Sequence, residues 1–154
     1  MTSESQMKKA KRIFLICPVR SASDPQKVEM DRYVDALEGI GYRVHYPPRD
    51  TNQIDVIGGI NILHQNMEAI LKADEVHVYW DENSKGSYHD FGEAFITRKP
   101  IYVVNKSRIK PTQGKSYSNV LLSLDKHYEP NLIKRTRQSK EWQDLDNLVK
   151  KLGM

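Results

Sequence analysis

The feature that most constrains this chain is an alternation. From residue 12 to residue 105, short β-branched or aromatic runs take turns with stretches of helical spacing. Arg12 to Cys17 (R-I-F-L-I-C) is a nearly continuous apolar run ended by Pro18, the pattern of a strand buried on both faces. After a Pro18-to-Ser23 loop, Asp24 suits a helix N-cap and Pro25 the first helical position. Met30, Tyr33, Val34 and Leu37 follow at i, i+3, i+4 and i+7, so the spacing predicts one buried face; Gly39 and Gly41 supply the stop. Tyr42 to Tyr46 alternates and runs into Pro47-Pro48, giving a second strand. A polar, turn-prone connection from Arg49 to Gly59 precedes a second helix, whose face is Ile60, Leu63, Met67, Ile70 and Leu71 and which ends near Ala73. Glu75 to Trp80 is the third strand, about Ser87 to Arg98 the third helix, and Ile101 to Asn105, after Lys99-Pro100, the fourth strand.

A β-α-β-α-β-α-β order argues for a parallel sheet covered on both faces. The expected fold is α/β: a single-domain, Rossmann-like (flavodoxin-like) three-layer fold over residues 12 to 154, with a parallel sheet of four to five strands. The uncertain strand is Ser118 to Leu124, which periodicity alone leaves open between a strand and a short helix. Ser139 starts a final helix, with Trp142, Leu145, Leu148, Val149 and Leu152 on one face and Gly153 beyond it.

Composition removes several classes. The chain has 154 residues, enough to bury one real core, and 38% hydrophobic with 29% charged residues is the balance of a soluble globular protein. No apolar run approaches the roughly 20 residues of a membrane helix, so no membrane partner is expected. Residues 1 to 11 carry a basic end without an apolar segment and read as a disordered leader, not a secretory signal. Cys17 is the single cysteine and cannot form an internal disulfide, which makes a cytoplasmic location the default. The formal net charge of +4 gathers at residues 8 to 12, at 106 to 115, and in Lys134, Arg135 and Arg137. Such runs are more often solvated surface than a nucleic-acid interface, and an anionic small molecule fits the same charge.

Ligands of open α/β sheets bind at the carboxyl ends of the strands. The loop after the third strand and the helix it feeds hold Ser84, Lys85, Gly86, Ser87, His89 and Asp90. Two readings of Asp90 stand side by side. Ser87-Tyr88-His89-Asp90 has the S-x-x-[DE] spacing of a capping box, in which the carboxylate supports the helix start. Alternatively the carboxylate faces the sheet's carboxyl edge as a nucleophile or base. Ser84, Gly86 and Ser87 precede a helix N-terminus, where unpaired N–H groups attract anions. The Pro18-to-Ser23 loop is a second such place, and Arg20 there has the fork geometry to grip a phosphate. The five histidines have no metal-binding spacing, and no metal or organic cofactor is expected. His77 belongs to the third strand, and Cys17 reads as a packed thiol.

Three stretches of this sequence, I-F-L-I-C-P-V-R-S, H-Q-N-M-E-A-I-L-K-A-D and S-K-G-S-Y-H-D-F-G-E-A-F-I-T-R-K-P-I-Y-V-V, together resemble the nucleoside 2-deoxyribosyltransferase family. Within it they are closest to the 2'-deoxynucleoside 5'-phosphate N-hydrolase branch. The last stretch is the most specific, following S/D-x-G-x-x-x-E-x-G-x-A and then a K-P-apolar strand. The resemblance covers about residues 12 to 105.

The resemblance implies cleavage of the N-glycosidic bond of a nucleotide or nucleoside, hydrolysing it or transferring its sugar, through a carboxylate beside an oxocarbenium-like transition state. It puts Asp90 at the position of the catalytic glutamate and Asn66 at that of an aspartate that handles the base or its proton. Cys17, Arg20, Ser21, Ser84, Gly86 and Ser87 would surround the substrate, with Arg20, Ser84 and Ser87 on a 5'-phosphate. It also implies a homodimer or higher homo-oligomer. Two departures bear on the chemistry. Asp for Glu shortens the reach by roughly 1.5 Å, and misplacement on that scale can lower a rate about a hundredfold. Asn66 cannot act as a general acid or base, although it can hydrogen-bond a base edge.

Overall fold

The computed structural model describes residues 9–137 and 139–154. Of the expected leader, residues 1–8 lie outside the described residues, whereas Lys11 pairs with Glu141 and lies 3.8 Å from Glu75. Four strands, β1 (Arg12–Ile16), β2 (Arg43–His45), β3 (Glu75–Val78) and β4 (Ile101–Val103), form one all-parallel sheet in the order β2-β1-β3-β4. The helices are α1 (Asp24–Gly39), α2 (Pro47–Asp50), α3 (Ile60–Lys72), α4 (Lys85–Ile96), α5 (Tyr117–His127), α6 (Glu129–Arg137) and α7 (Ser139–Lys151). This is the expected Rossmann-like α/β fold.

The period-2 alternation of β1 builds both sides of the core. Ile13 and Leu15 face Met30, Tyr33, Val34 and Leu37 of α1 and Trp142, Leu145 and Val149 of α7. Phe14 and Ile16 face the other way, with Val76, Val78, Ile70 of α3, Phe91 and Ala94 of α4, and Leu121 and Leu124 of α5. The three layers are therefore α1 and α7, the sheet, and α3, α4 and α5.

Side chains close both edges of the sheet. At β2, Arg49 Nη2 donates to the Val44 carbonyl at 3.0 Å, and the Tyr46 N–H donates to Asp50 Oδ2 at 2.8 Å. At β4, Asn131 takes a bond from the Ile101 N–H at 2.7 Å and returns one to the Ile101 carbonyl at 2.8 Å. These contacts occupy part of the outer backbone of each edge strand. Ser118 to Leu124 lies in helix α5, and among the described residues the sheet has four strands.

Several local expectations need correction. The N-cap of α1 is Ser23, not Asp24; Ser23 and Gln26 form a reciprocal capping box, and Pro25 sits one position later than expected. The α3 face is largely uncovered: Ile70 is buried, but Ile60, Leu63, Met67 and Leu71 are 36–50% exposed. α4 begins at Lys85 with Ser84 as its N-cap residue, so Ser87-to-Asp90 is not a capping box. Asp90 is the sixth residue of that helix, past the reach of its free N–H groups.

Candidate active site

The chain leaves β1 toward β2 on one side and later returns to place β3 on the other. The sheet therefore has its topological switch point between the carboxyl ends of β1 and β3, where open α/β sheets bind ligands. The loop after β1 carries Cys17, Arg20 and Ser21, and the loop after β3 leads into α4. Gln26 Nε2, in the first turn of α1, donates to Asp81 Oδ2 at 3.1 Å and ties the start of α1 to the loop after β3. Asn105, beyond β4, holds the backbone N–H and carbonyl of Trp80, both at 2.9 Å, and steadies the second loop.

Asp90 is only 6% exposed and Asn66 only 7%. The two come from neighbouring helices, and Asn66 Nδ2 donates to Asp90 Oδ2 at 3.5 Å, long for such a bond. The other end of the Asn66 amide is committed as well. Thr51 Oγ1 donates to Asn66 Oδ1 at 2.8 Å, and His45 Nε2 lies 2.8 Å from the same Thr51 oxygen. An amide oxygen only accepts, so the Thr51 hydroxyl must give its proton to Asn66 and accept one from His45 Nε2–H. Burial pushes the His45 ring below its ordinary value, which keeps it neutral. The relay His45–Thr51–Asn66 thus fixes the amide with its N–H₂ toward Asp90, a donor that favours the carboxylate over the acid.

Burial acts the other way on Asp90 and is the stronger influence. Together with the charge of Glu93, it pushes the carboxyl up to about 7, against the opposing effects of His89 and Asn66. A carboxyl that titrates near neutrality suits a general base or nucleophile. Cys17 is buried, and both its burial and the Asp90 charge push its thiol up, so it is a packed neighbour and not a nucleophile.

Ser84 and Ser87 are also buried, with their hydroxyl oxygens 2.8 Å apart. Ser84 makes no side-chain cap bond, and the N–H groups of Ser84 and Ser87 donate to the Asp81 and Ser84 carbonyls, so Lys85 and Gly86 carry the uncommitted N–H groups of the first turn among the described residues. Gly86 is exposed there, and a Cβ added to it would meet nothing within 4 Å. Arg20 and Ser21 are exposed, and Arg20 has no ion-pair or hydrogen-bond partner among the described residues.

The structure thus brings Asp90, Asn66 and Cys17 together, sets Ser84, Gly86 and Ser87 at the start of α4, and leaves Arg20 and Ser21 open on their loop. His45 and Thr51 are site residues that the sequence reading passed over. The signal for them was the rule already used elsewhere, since His45 is the last residue of β2 and Thr51 follows the one-turn helix α2 just beyond it. A groove of about 920 Å³ lies to one side, between β2 and α3; Arg12, Arg43, His45, His64 and Lys72 are among the residues lining it. Through His45 it adjoins the outer end of the relay to Asp90. Among the described residues, no group of three or more His, Cys, Asp or Glu is placed to hold a metal ion.

No protein-family model matches this chain, and no curated protein matches it. The chemistry of the site has to be argued from its own residues.

Proposed function

We propose that this protein is an N-glycosidase acting on a nucleoside 5'-monophosphate, with Asp90 as the carboxylate nucleophile or base. The observation that carries this reading is the placement of Asp90. It is buried near Cys17 just beyond β1, it meets the donor end of Asn66, and it takes no part in capping α4. A buried carboxylate is costly unless it serves a purpose, and perturbed carboxyls gather at functional sites. On this reading the first turn of α4 holds the phosphate through the backbone N–H groups of Lys85 and Gly86 and the hydroxyls of Ser84 and Ser87. Arg20, unpaired and on the facing loop, closes on it from the other side. Asn66 orients the sugar or base. The reaction breaks the bond between the anomeric carbon and the base; water, or a second base, takes the sugar. Neither a metal nor an organic cofactor enters this scheme.

The resemblance implied a homodimer or higher oligomer, and the open face of α3 favours a second copy. Leu63, Met67 and Leu71 lie exposed along that helix, and Phe95 and Ile96 lie exposed on the neighbouring α4. Exposed large apolar side chains gathered on neighbouring helices are the kind of surface that partners cover.

A second reading has its own support. Asp90 is one carbon shorter than glutamate and carries a raised pKa, so a pocket that binds a nucleotide without cleaving it is the alternative. Incubation with a panel of deoxynucleoside and ribonucleoside monophosphates, followed by chromatography for free base, separates the two. The glycosidase reading expects base release that disappears in Asp90→Ala. Tight nucleotide binding with no base released, at high protein and long times, would establish the binding protein instead.

A further inference from the structure

The groove between β2 and α3 holds charges that the candidate active site does not use. β2 is an edge strand. Its Val44 joins the core under α1, while the flanking Arg43 and His45 turn to the opposite face and line the groove. Arg12 of β1 lines it too and stands in register with Arg43. Two guanidinium side chains therefore rise together from strands about 4.8 Å apart. Lys72 meets the groove from the last turn of α3. Among the described residues, none of the three makes an ion pair or a side-chain hydrogen bond. Of the carboxylates lining the groove, Glu38 and Asp50 are each held by Arg49 at 2.8 Å, which leaves Glu68. Three uncommitted cations thus share the groove with one uncommitted carboxylate. Like charges set side by side on a sheet work against the fold, and no described carboxylate is placed to offset the arginine pair.

We infer that this groove is a second binding site, for a small molecule bearing a di- or triphosphate group, gripped by Arg12 and Arg43 on the sheet and by Lys72 on α3. The inference stands apart from the role of Asp90. Guanidinium forks take phosphate oxygens in pairs, and the ammonium adds a point charge from the helix. A single phosphate group carries at most about −2, whereas three cations on two elements match a longer anion. At about 920 Å³ the groove is larger than an inorganic anion needs and falls within the range of small-molecule sites, so an organic group accompanies the phosphates. Tyr42, His45 and His64 offer that group ring surfaces. The His45 ring is itself fixed, stacked on Phe14 with its Nε2 committed to Thr51. The neutralised Arg49 group and the Glu68 carboxylate interrupt the positive surface. That favours a compact ligand over a nucleic-acid strand, which needs an extended basic track.

Inorganic pyrophosphate is the probe, titrated by calorimetry into the full chain as wild type, Arg43→Gln, Lys72→Gln and Arg20→Gln. Wild type should bind it more tightly than inorganic phosphate. Arg43→Gln and Lys72→Gln should each weaken pyrophosphate binding at least about fivefold, while Arg20→Gln, on the loop after β1, should retain a pyrophosphate site. Without ligand, Arg43→Gln should unfold at an equal or higher temperature, because the paired arginines no longer repel; an arginine that serves the fold alone predicts a lower one. No pyrophosphate binding by wild type, or binding that both groove variants leave unmoved, overturns the inference. Binding lost in Arg20→Gln alone also overturns it and moves the anion to the start of α4, in keeping with the proposed active site. Should Arg43→Gln not fold, Lys72→Gln decides by itself. A single-stranded oligonucleotide that binds more tightly than pyrophosphate through the same residues overturns the small-molecule assignment.

Discussion

The sign of the Asp90 shift separates a working carboxylate from a structural one. Its pKa in the fold is raised from 3.8 to about 7, chiefly by burial. A raised carboxyl favours the fold fully while it is protonated, below its ordinary value. That advantage is lost as the pH rises through about 7. Asp90→Asn keeps the shape and still accepts from Asn66, but it removes the buried charge. Thermal unfolding followed by circular dichroism should therefore show Asp90→Asn more stable than wild type at pH 8, by on the order of 2–4 kcal/mol. The gain should vanish near pH 4. A carboxylate serving only as a helix cap predicts no such gain, because asparagine caps equally well. The local sequence favoured the cap since Ser87 and Asp90 have the right spacing. That spacing lost its meaning once the helix began at Lys85, a boundary difference of two residues that removes the capping-box reading of Asp90.

At the scale of elements, the start of α4 carries the phosphate-binding part of the reading, and Gly86 tests it. The position has an ordinary helical backbone and open space where a Cβ would go, so nothing in the fold requires glycine there. Gly86→Ala should leave the unfolding midpoint equal or raised, by up to about 1 kcal/mol from helix propensity. It should nevertheless weaken nucleoside monophosphate binding at least about tenfold relative to the unphosphorylated nucleoside, measured by titration calorimetry. Equal affinities in both proteins would move the phosphate elsewhere. The four strands and the faces of α1 and α7 were legible because each repeats an apolar period toward one core. α6 was not, since it presents no apolar stripe inward: Pro130 and Asn131 are what it buries, while Leu132 and Ile133 stay exposed. Asn131 earns its burial by substituting for a missing strand partner at Ile101, a function that leaves no periodic trace.

The whole molecule shows why the α3 face misled in the opposite direction. Its apolar period is real, but only Ile70 finds the core, and the rest of the stripe points outward. Periodicity reports that a face is to be covered, not what covers it. On the dimer reading a second copy does. Sedimentation equilibrium should then find wild type as a dimer or larger at micromolar protein, and Leu63→Lys/Met67→Lys as a monomer with unchanged circular dichroism. A monomeric wild type at tens of micromolar would remove the dimer. The candidate site was partly legible for a related reason. Residues 12 to 105 give the strand ends and hence the region, but the partners of Asp90 come from four separate segments, and His45 and Thr51 have no motif to announce them.

On the proposed function, Asp90 must ionise for a nucleotide to be cleaved. The most direct measurement is the rate of free-base release from deoxynucleoside monophosphates and from the matching nucleosides, between pH 5 and 9, in wild type and Asp90→Asn. The predicted result is release from the phosphorylated substrates, rising with pH through about 7 as Asp90 loses its proton, and absent in Asp90→Asn. Release that is equal in the two proteins, or nucleotide bound tightly and left whole at every pH, would contradict it.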